Sequence, residues 1–146
     1  IKNAASVRTT RQTVEAAMRF PRGANQYATL CQTCHGKDGN GVKSLAPPLN
    51  QSEWVTGDKG RLISIVLYGL TGPVEVNKHL YKAPEIAGDM PGIGNDPRLN
   101  MDELAQLLSY IRRAWQNHAD QVQPDDIQRV KAKHGNRKEP FTVEQL

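Results

Sequence analysis

The sequence predicts an all-α chain of short helices joined by long loops, and three observations predict it. No stretch of useful length alternates apolar and polar residues as a strand would. Several segments instead set apolar side chains at steps of three or four, with helix-starting and helix-stopping residues at their ends. Between them are distributed 12 Gly and 9 Pro in 146 residues, too many breaks for long helices. No internal repeat is present. An apolar fraction of 38% with 5% aromatics is thin core material for one domain of ordinary size plus extensions. The longest apolar run, Leu62 to Leu67 broken by Ser64, is far below the roughly 18 to 20 residues that a membrane-spanning helix needs, so nothing here is expected to cross a bilayer.

The elements follow in order. Residues 1–22 place Val7, Val14, Ala17 and Met18 at loosely helical spacing, with Pro21 expected to end whatever forms, so this stretch is expected to be a peripheral arm. From Gly23 a short helix puts Tyr27, Leu30, Cys31 and Cys34 on one face, until Gly36, Gly39 and Gly41 break it. Residues 46–58 are irregular, with Leu49 and Trp54 as apolar anchors. Asp58 is placed to cap a helix from Lys59 to Leu67 that is apolar around much of its circumference and therefore buried. Residues 69–99 have little periodicity, a long loop for a compact domain unless it has a task. Asn100 followed by Glu103 resembles a capping box, and Leu104, Leu107, Leu108, Ile111, Ala114 and Trp115 continue at helical spacing. Pro124, Ile127, Val130 and Gly135 mark one more short helix leading into a polar tail. The expected organisation is an arm (1–22), a domain (23–119) and a tail (120–146).

The net charge of +4 lies entirely in the arm, where Lys2, Arg8, Arg11, Arg19 and Arg22 face only Glu15; the domain and the tail are each balanced. A basic arm without interleaved aromatics is a poor reader of bases, so nucleic acid is not the expected partner. An acidic surface is, either on a partner protein or on the chain's own functional edge. No basic leader with an apolar centre and a small-residue cleavage site is visible, so any export signal is expected either to have been removed or to lie outside this sequence.

The two cysteines, at 31 and 34, would close too small a loop to brace the fold. With His35 they form C-x-x-C-H, which suits covalent haem: two thiols at this separation reach the two vinyl groups of one porphyrin edge, and the next residue sets an imidazole beneath the iron. Two other readings of these residues exist. A redox dithiol belongs at a helix N-terminus after a strand, and none precedes it here. A zinc half-site needs a second ligand pair, which His79, His118 and His134 do not form at ligand spacing. A flat apolar haem would also supply the centre that this composition lacks.

With Gly23 and Tyr27 ahead of CQTCHG, an APPL stretch, a Met-Pro in the long loop and a terminal LLSYIRR helix, residues 23–119 resemble a class I c-type cytochrome domain. The resemblance implies the class I cytochrome c fold, with short helices and long loops wrapped round one covalent haem c. It implies that Gly23 and Tyr27 pack against Leu107 and Tyr110 where the first and last helices cross. His35 and Met90, which lies 55 residues further on and precedes Pro91, become the expected iron ligands. Met18 and Met101 are weaker rivals, and His79 is the best alternative. The resemblance also implies that the Pro47 carbonyl holds the ligand imidazole and that Leu49 lines the haem. Trp54 either donates to a haem propionate or packs at the surface, and Tyr68 and Tyr81 are donors near Met90 or packing residues. Two propionates would make the domain about two units negative.

An iron with both axial sites filled by protein can exchange an electron and little else, so the expected function is one-electron transfer rather than catalysis. The alternative is a haem enzyme or gas sensor with an open sixth site. No G-x-G-x-x-G opening a helix and no paired carboxylates point to dehydrogenase chemistry, and DGNG at 38–41 lacks the remaining positions of a calcium loop. The tail and the PLNQSEWVTGDKGRLISIVLYGLTGPVEV segment are similar to haem domains fused to, or partnered with, bacterial dehydrogenases. That implies a dehydrogenase as redox partner and a periplasmic location, free or held at the membrane through the partner.

Overall fold

The computed structural model describes residues 4–146; Lys2 of the basic arm lies outside them. The helices are α1 (Ala4–Arg19), α2 (Pro21–Leu30), the single turn α3 (Gln32–His35), the short α4 (Glu53–Thr56), α5 (Lys59–Tyr68), α6 (Met101–Arg113) and α7 (Pro124–His134). Short strands β1 (Gly69–Thr71), β2 (Val74–Val76), β3 (His79–Tyr81) and β4 (Asp89–Pro91) lie between α5 and α6. No helix among the described residues is long and apolar enough to cross a membrane.

The core is organised by the crossing of α2 on α6. Gly23 makes it possible: a Cβ there would stand 2.1 Å from the Gln106 carbonyl oxygen, so the two backbones touch where a side chain would hold them apart. Beside the crossing the Tyr27 ring lies 5.8 Å from Tyr110 and 5.3 Å from Trp115, centroid to centroid, in tilted and edge-on arrangements that aromatic quadrupoles favour. Leu104, Leu107, Leu108 and Ile111 of α6 and Leu62, Ile63, Val66 and Leu67 of α5 complete one continuous core. Asp58 caps α5 by accepting from the Arg61 N–H at 2.8 Å. Asn100 likewise accepts from the Glu103 N–H at 2.9 Å, but the box is not reciprocal. The Glu103 carboxylate instead accepts from Arg22 at 2.6 Å and from Gln26, pinning α6 to α2.

The first segment, expected as a peripheral arm, is a largely exposed helix fixed to the body. It forms α1, buries Ala16, and leads into buried Phe20. Its attachment is largely polar: Gln12 Nε2 donates to the carbonyls of Arg113 at 3.0 Å and Asn117 at 2.7 Å, and the Thr13 hydroxyl accepts from the Trp115 N–H at 3.0 Å. These groups lie at the C-terminal end of α6, where carbonyls lack intrahelical partners, and an apolar pattern cannot report such bonds. Pro21 opens α2 rather than closing α1, since its missing N–H is harmless in a first turn.

The tail is equally part of the body. Ile127 and Val130 of α7 belong to the main core. Arg112, almost fully buried on α6, donates to the carbonyls of Val55, Gly57 and Asp120 and to the Asp120 carboxylate at 2.8–2.9 Å. Lys59 reaches the same carboxylate at 2.8 Å, and the bonds from Lys59 and Arg112 hold the Asp120 pKa down to about 2.

The long loop contains the strands that the sequence did not announce. β1 pairs antiparallel with β4, Leu70 opposite Met90, and β2 pairs with β3, Val76 opposite His79. Three-residue strands are too short to display a period of two. The β2–β3 turn is Asn77-Lys78, both at positive φ, as a tight hairpin requires, with Lys in the place where Gly would have signalled it.

Candidate functional site

The C-x-x-C-H segment sits where α2 ends and α3 turns away. Cys31 is half-buried against the main core and Cys34 is exposed, and the two thiols are not bonded to each other. Burial, reinforced by the neighbouring Cys34, pushes the Cys31 thiol up to about 12. A redox dithiol works through a thiolate of depressed pKa, so this shift is in the wrong direction for that chemistry. Among the described residues no group of three or more His, Cys, Asp or Glu side chains is placed to hold a metal ion.

His35 is buried, with Nδ1 2.9 Å from the Pro47 carbonyl oxygen. That acceptor fixes the proton on Nδ1 and leaves Nε2, which makes no hydrogen bond among the described residues, as the lone-pair nitrogen. Burial also lowers the His35 pKa, opposed by the Pro47 bond, which favours the neutral ring, the form that ligates iron. The loop delivers the carbonyl through its own backbone bonds. Gly41 N–H donates to the His35 carbonyl at 2.8 Å, Val42 and Ala46 bridge, and the N–H groups of Leu49 and Asn50 converge on the Gly39 carbonyl at 2.7 and 2.8 Å. Gly41, at φ +80°, has no room for a side chain because the Ala46 carbonyl would lie 2.6 Å from its Cβ.

Met90 occupies the middle of β4, half-buried against the same core that Cys31, Leu49 and Ile93 join. Its backbone is tightly stacked on the end of α5. Ile93 and Gly94 N–H groups donate to the Val66 and Leu67 carbonyls at 2.9 and 3.0 Å. Gly69, at φ +95°, has the Met90 carbonyl 2.7 Å from the position of a Cβ.

The other expected site residues are placed as follows. The Trp54 indole N–H donates to the Glu75 carbonyl at 2.8 Å and its ring stacks under the Arg61 guanidinium at 4.5 Å, so its single donor is already used within the protein. Tyr68 donates to the Gly135 carbonyl at 3.1 Å and packs on His134 and Phe141, which ties it to the tail. His79 is exposed and bound to the Glu85 carboxylate at 2.8 and 2.9 Å, with Tyr81 stacked 4.3 Å away. Met101 is half-buried in the first turn of α6, and Met18 is 75% exposed on α1.

Two unbridged thiols at C-x-x-C spacing, a neutral imidazole with one nitrogen held and the other unengaged, and a half-covered thioether form a donor set that suits a covalently attached haem. Sequence reasoning missed Asn117, which donates to the Leu49 and Ile111 carbonyls at 3.2 and 2.9 Å and accepts from Gln51 N–H at 2.6 Å, tying the loop that carries Leu49 to the end of α6. It missed Phe141 as well, whose only signal was a lone aromatic after Pro140 in a polar tail.

Residues 20–115 match the family model for cytochrome c. The chain is 33% identical over 111 residues to the cytochrome c subunit of a quinone alcohol dehydrogenase from Gluconobacter oxydans (strain 621H), covering 75% of this chain and 22% of that subunit. It is 32% identical over 128 residues to cytochrome c-552 from Thermus thermophilus, covering 85% of this chain and 80% of the relative. A gluconate 2-dehydrogenase cytochrome c subunit from Pantoea cypripedii is 35% identical over 102 residues, covering 66% of this chain and 21% of that subunit. The chain thus spans about a fifth of the length of the dehydrogenase subunits it matches. With the attachment motif at Cys31 and Cys34 and a match through most of its helical core, the chain belongs to the cytochrome c family, whose members carry electrons on covalently attached haem c.

Proposed function

We propose that this chain is a one-electron carrier in which His35 and Met90 hold the iron of a single haem c, and that it exchanges electrons with a dehydrogenase or with a respiratory chain outside the bacterial cytoplasm. The observation that carries the ligand assignment is the His35 geometry: Nδ1 committed to Pro47 and Nε2 left unengaged. Bound haem supplies a ferric/ferrous couple. The protein's residues determine what that couple can be used for. Cys31 and Cys34 fix the group covalently, Pro47 keeps the imidazole oriented, and the β1–β4 ribbon holds the Met90 thioether, a soft ligand that favours the reduced state and leaves no site for a substrate. The oxidised protein is expected to show the weak far-red sulfur-to-iron absorption band, and the reduced protein to bind carbon monoxide slowly. Absence of the band would overturn the Met90 assignment, and rapid carbon monoxide binding would point to an open sixth site.

The named relatives include cytochrome c subunits of alcohol and gluconate dehydrogenases, which supports a dehydrogenase as the partner. α1 offers a docking face: Val7, Val14 and Met18 are exposed, 41%, 52% and 75%, at positions seven and four apart, beside exposed Arg8, Arg11 and Arg19. Because α1 is bonded to the end of α6, it is not available to swing onto the chain's own haem edge, and the acidic surface it suits is a partner's. Arg8→Glu with Arg11→Glu is expected to weaken association with a co-migrating electron donor roughly tenfold at low salt, and the difference should vanish at high ionic strength. Identical salt dependence in variant and parent would remove α1 from the docking surface.

A further inference from the structure

Residues after α7 return to the Met90 side of the molecule. The Phe141 N–H donates to the Gly69 carbonyl at 3.0 Å and its carbonyl accepts from the Thr71 N–H at 2.8 Å, forming a parallel bridge with Leu70. Backbone groups of residues 69 and 71 point to the opposite side from those of Leu70, which faces Met90, so Phe141 occupies the other edge of β1. The result is a three-layer ribbon in which β1 lies between the tail and the strand that carries Met90. On the β4 side the Thr71 hydroxyl bonds the Asp89 carboxylate, and on the tail side Pro140 approaches to within 3.4 Å of the position of a Cβ on Gly69.

The Phe141 ring is the anchor. It is 2% exposed, lies 3.9 Å from the Arg137 guanidinium, and meets the rings of His134 at 4.9 Å and Tyr68 at 5.8 Å edge-on. Arg137 also donates to the Glu139 and Pro140 carbonyls and to Gln145 at 2.9–3.1 Å, and Tyr68 donates to Gly135, closing the segment into a fixed turn. A ribbon of two three-residue strands is marginal in water, and a third backbone layer with a buried aromatic anchor makes it persist.

We propose that residues 135–146 are a brace that keeps the Met90 strand in place, with Phe141 as a positioning residue that sets how often the sixth iron site opens. The proposal rests on the assignment of Met90 as a ligand. Exogenous ligands enter through the open form, so their binding rate reports its population.

The test uses the full-length haem protein. Phe141→Ala is expected to raise the rate of carbon monoxide binding to the reduced protein about tenfold and to make the far-red band fade at temperatures where the parent keeps it. Ile127→Ala, which removes apolar bulk from the buried face of α7 at a position outside residues 135–146 and the two strands, should leave both close to parent values. Should Phe141→Ala prevent haem incorporation, Phe141→Leu keeps the backbone bridge but loses the ring contacts, and a rise of about threefold is expected. A parent protein without the far-red band defeats the ligand assignment and the brace with it. A parent with the band, and phenylalanine variants with unchanged rates, defeat the brace alone. Equal increases in Ile127→Ala and Phe141→Ala also defeat it, because general loosening would then be the cause.

Discussion

Gly23→Ala is expected to cost at least about 3 kcal/mol of stability, the upper part of the range for forcing extra atoms into a packed contact. The added methyl would stand 2.1 Å from the Gln106 carbonyl oxygen and 2.6 Å from its carbon, both backbone atoms, so no rotamer change relieves the clash. The helices must separate, and separation opens the Tyr27 contacts with Tyr110 and Trp115 and strains the Arg22 and Gln26 bonds to Glu103. In an isolated helix the same change would gain about 1 kcal/mol, so the sign itself is diagnostic. Denaturant unfolding of the haem-loaded protein measures it, with Gly88→Ala, where a Cβ meets nothing within 4 Å, as the reference variant. A Gly23→Ala protein as stable as the Gly88→Ala protein would mean that α2 and α6 do not touch as described.

Met90→Ala is expected to lower the reduction potential by on the order of 0.2 V, part of the roughly 0.8 V over which axial ligands tune haem proteins. It should also admit carbon monoxide rapidly. The fold should survive, because β4 is paired to β1 through backbone groups that alanine retains. Redox titration and ligand-binding kinetics on the same preparation check both effects. An unchanged potential would transfer the sixth position to another residue; His79 would then have to leave Glu85 and Met101 the first turn of α6.

Much of this architecture was legible in the sequence where the physics is local. Asp58 and Asn100 stand as caps because their side chains bond N–H groups three residues on. Gly23 and Tyr27 fall on the face that meets α6, and the helix from Pro124 to Gly135 follows its start and stop residues. What escaped was held by single long-range polar bonds or by very short strands. Gln12 and Thr13 reach the end of α6 across about a hundred residues, a contact that no periodicity records. Trp54 could not be placed from sequence, which left open a propionate partner or surface packing, and its N–H donates to the Glu75 carbonyl. In the site, the Cys31, Cys34 and His35 motif was explicit within five residues, whereas the strand that pairs with that of Met90 is bridged through Leu70 to Phe141, 71 residues further on.

The α2–α6 contact has a further consequence for how the molecule comes apart. It joins positions 23 and 106, 83 residues distant, and the chain-closure entropy of such a loop is about 4 kcal/mol. His35, Pro47 and Met90 all lie inside that loop, so opening the crossing removes a closure that all three share. Phe141 lies outside it. The Met90 strand is therefore tied both to the loop's own closure and to a segment that the closure does not include.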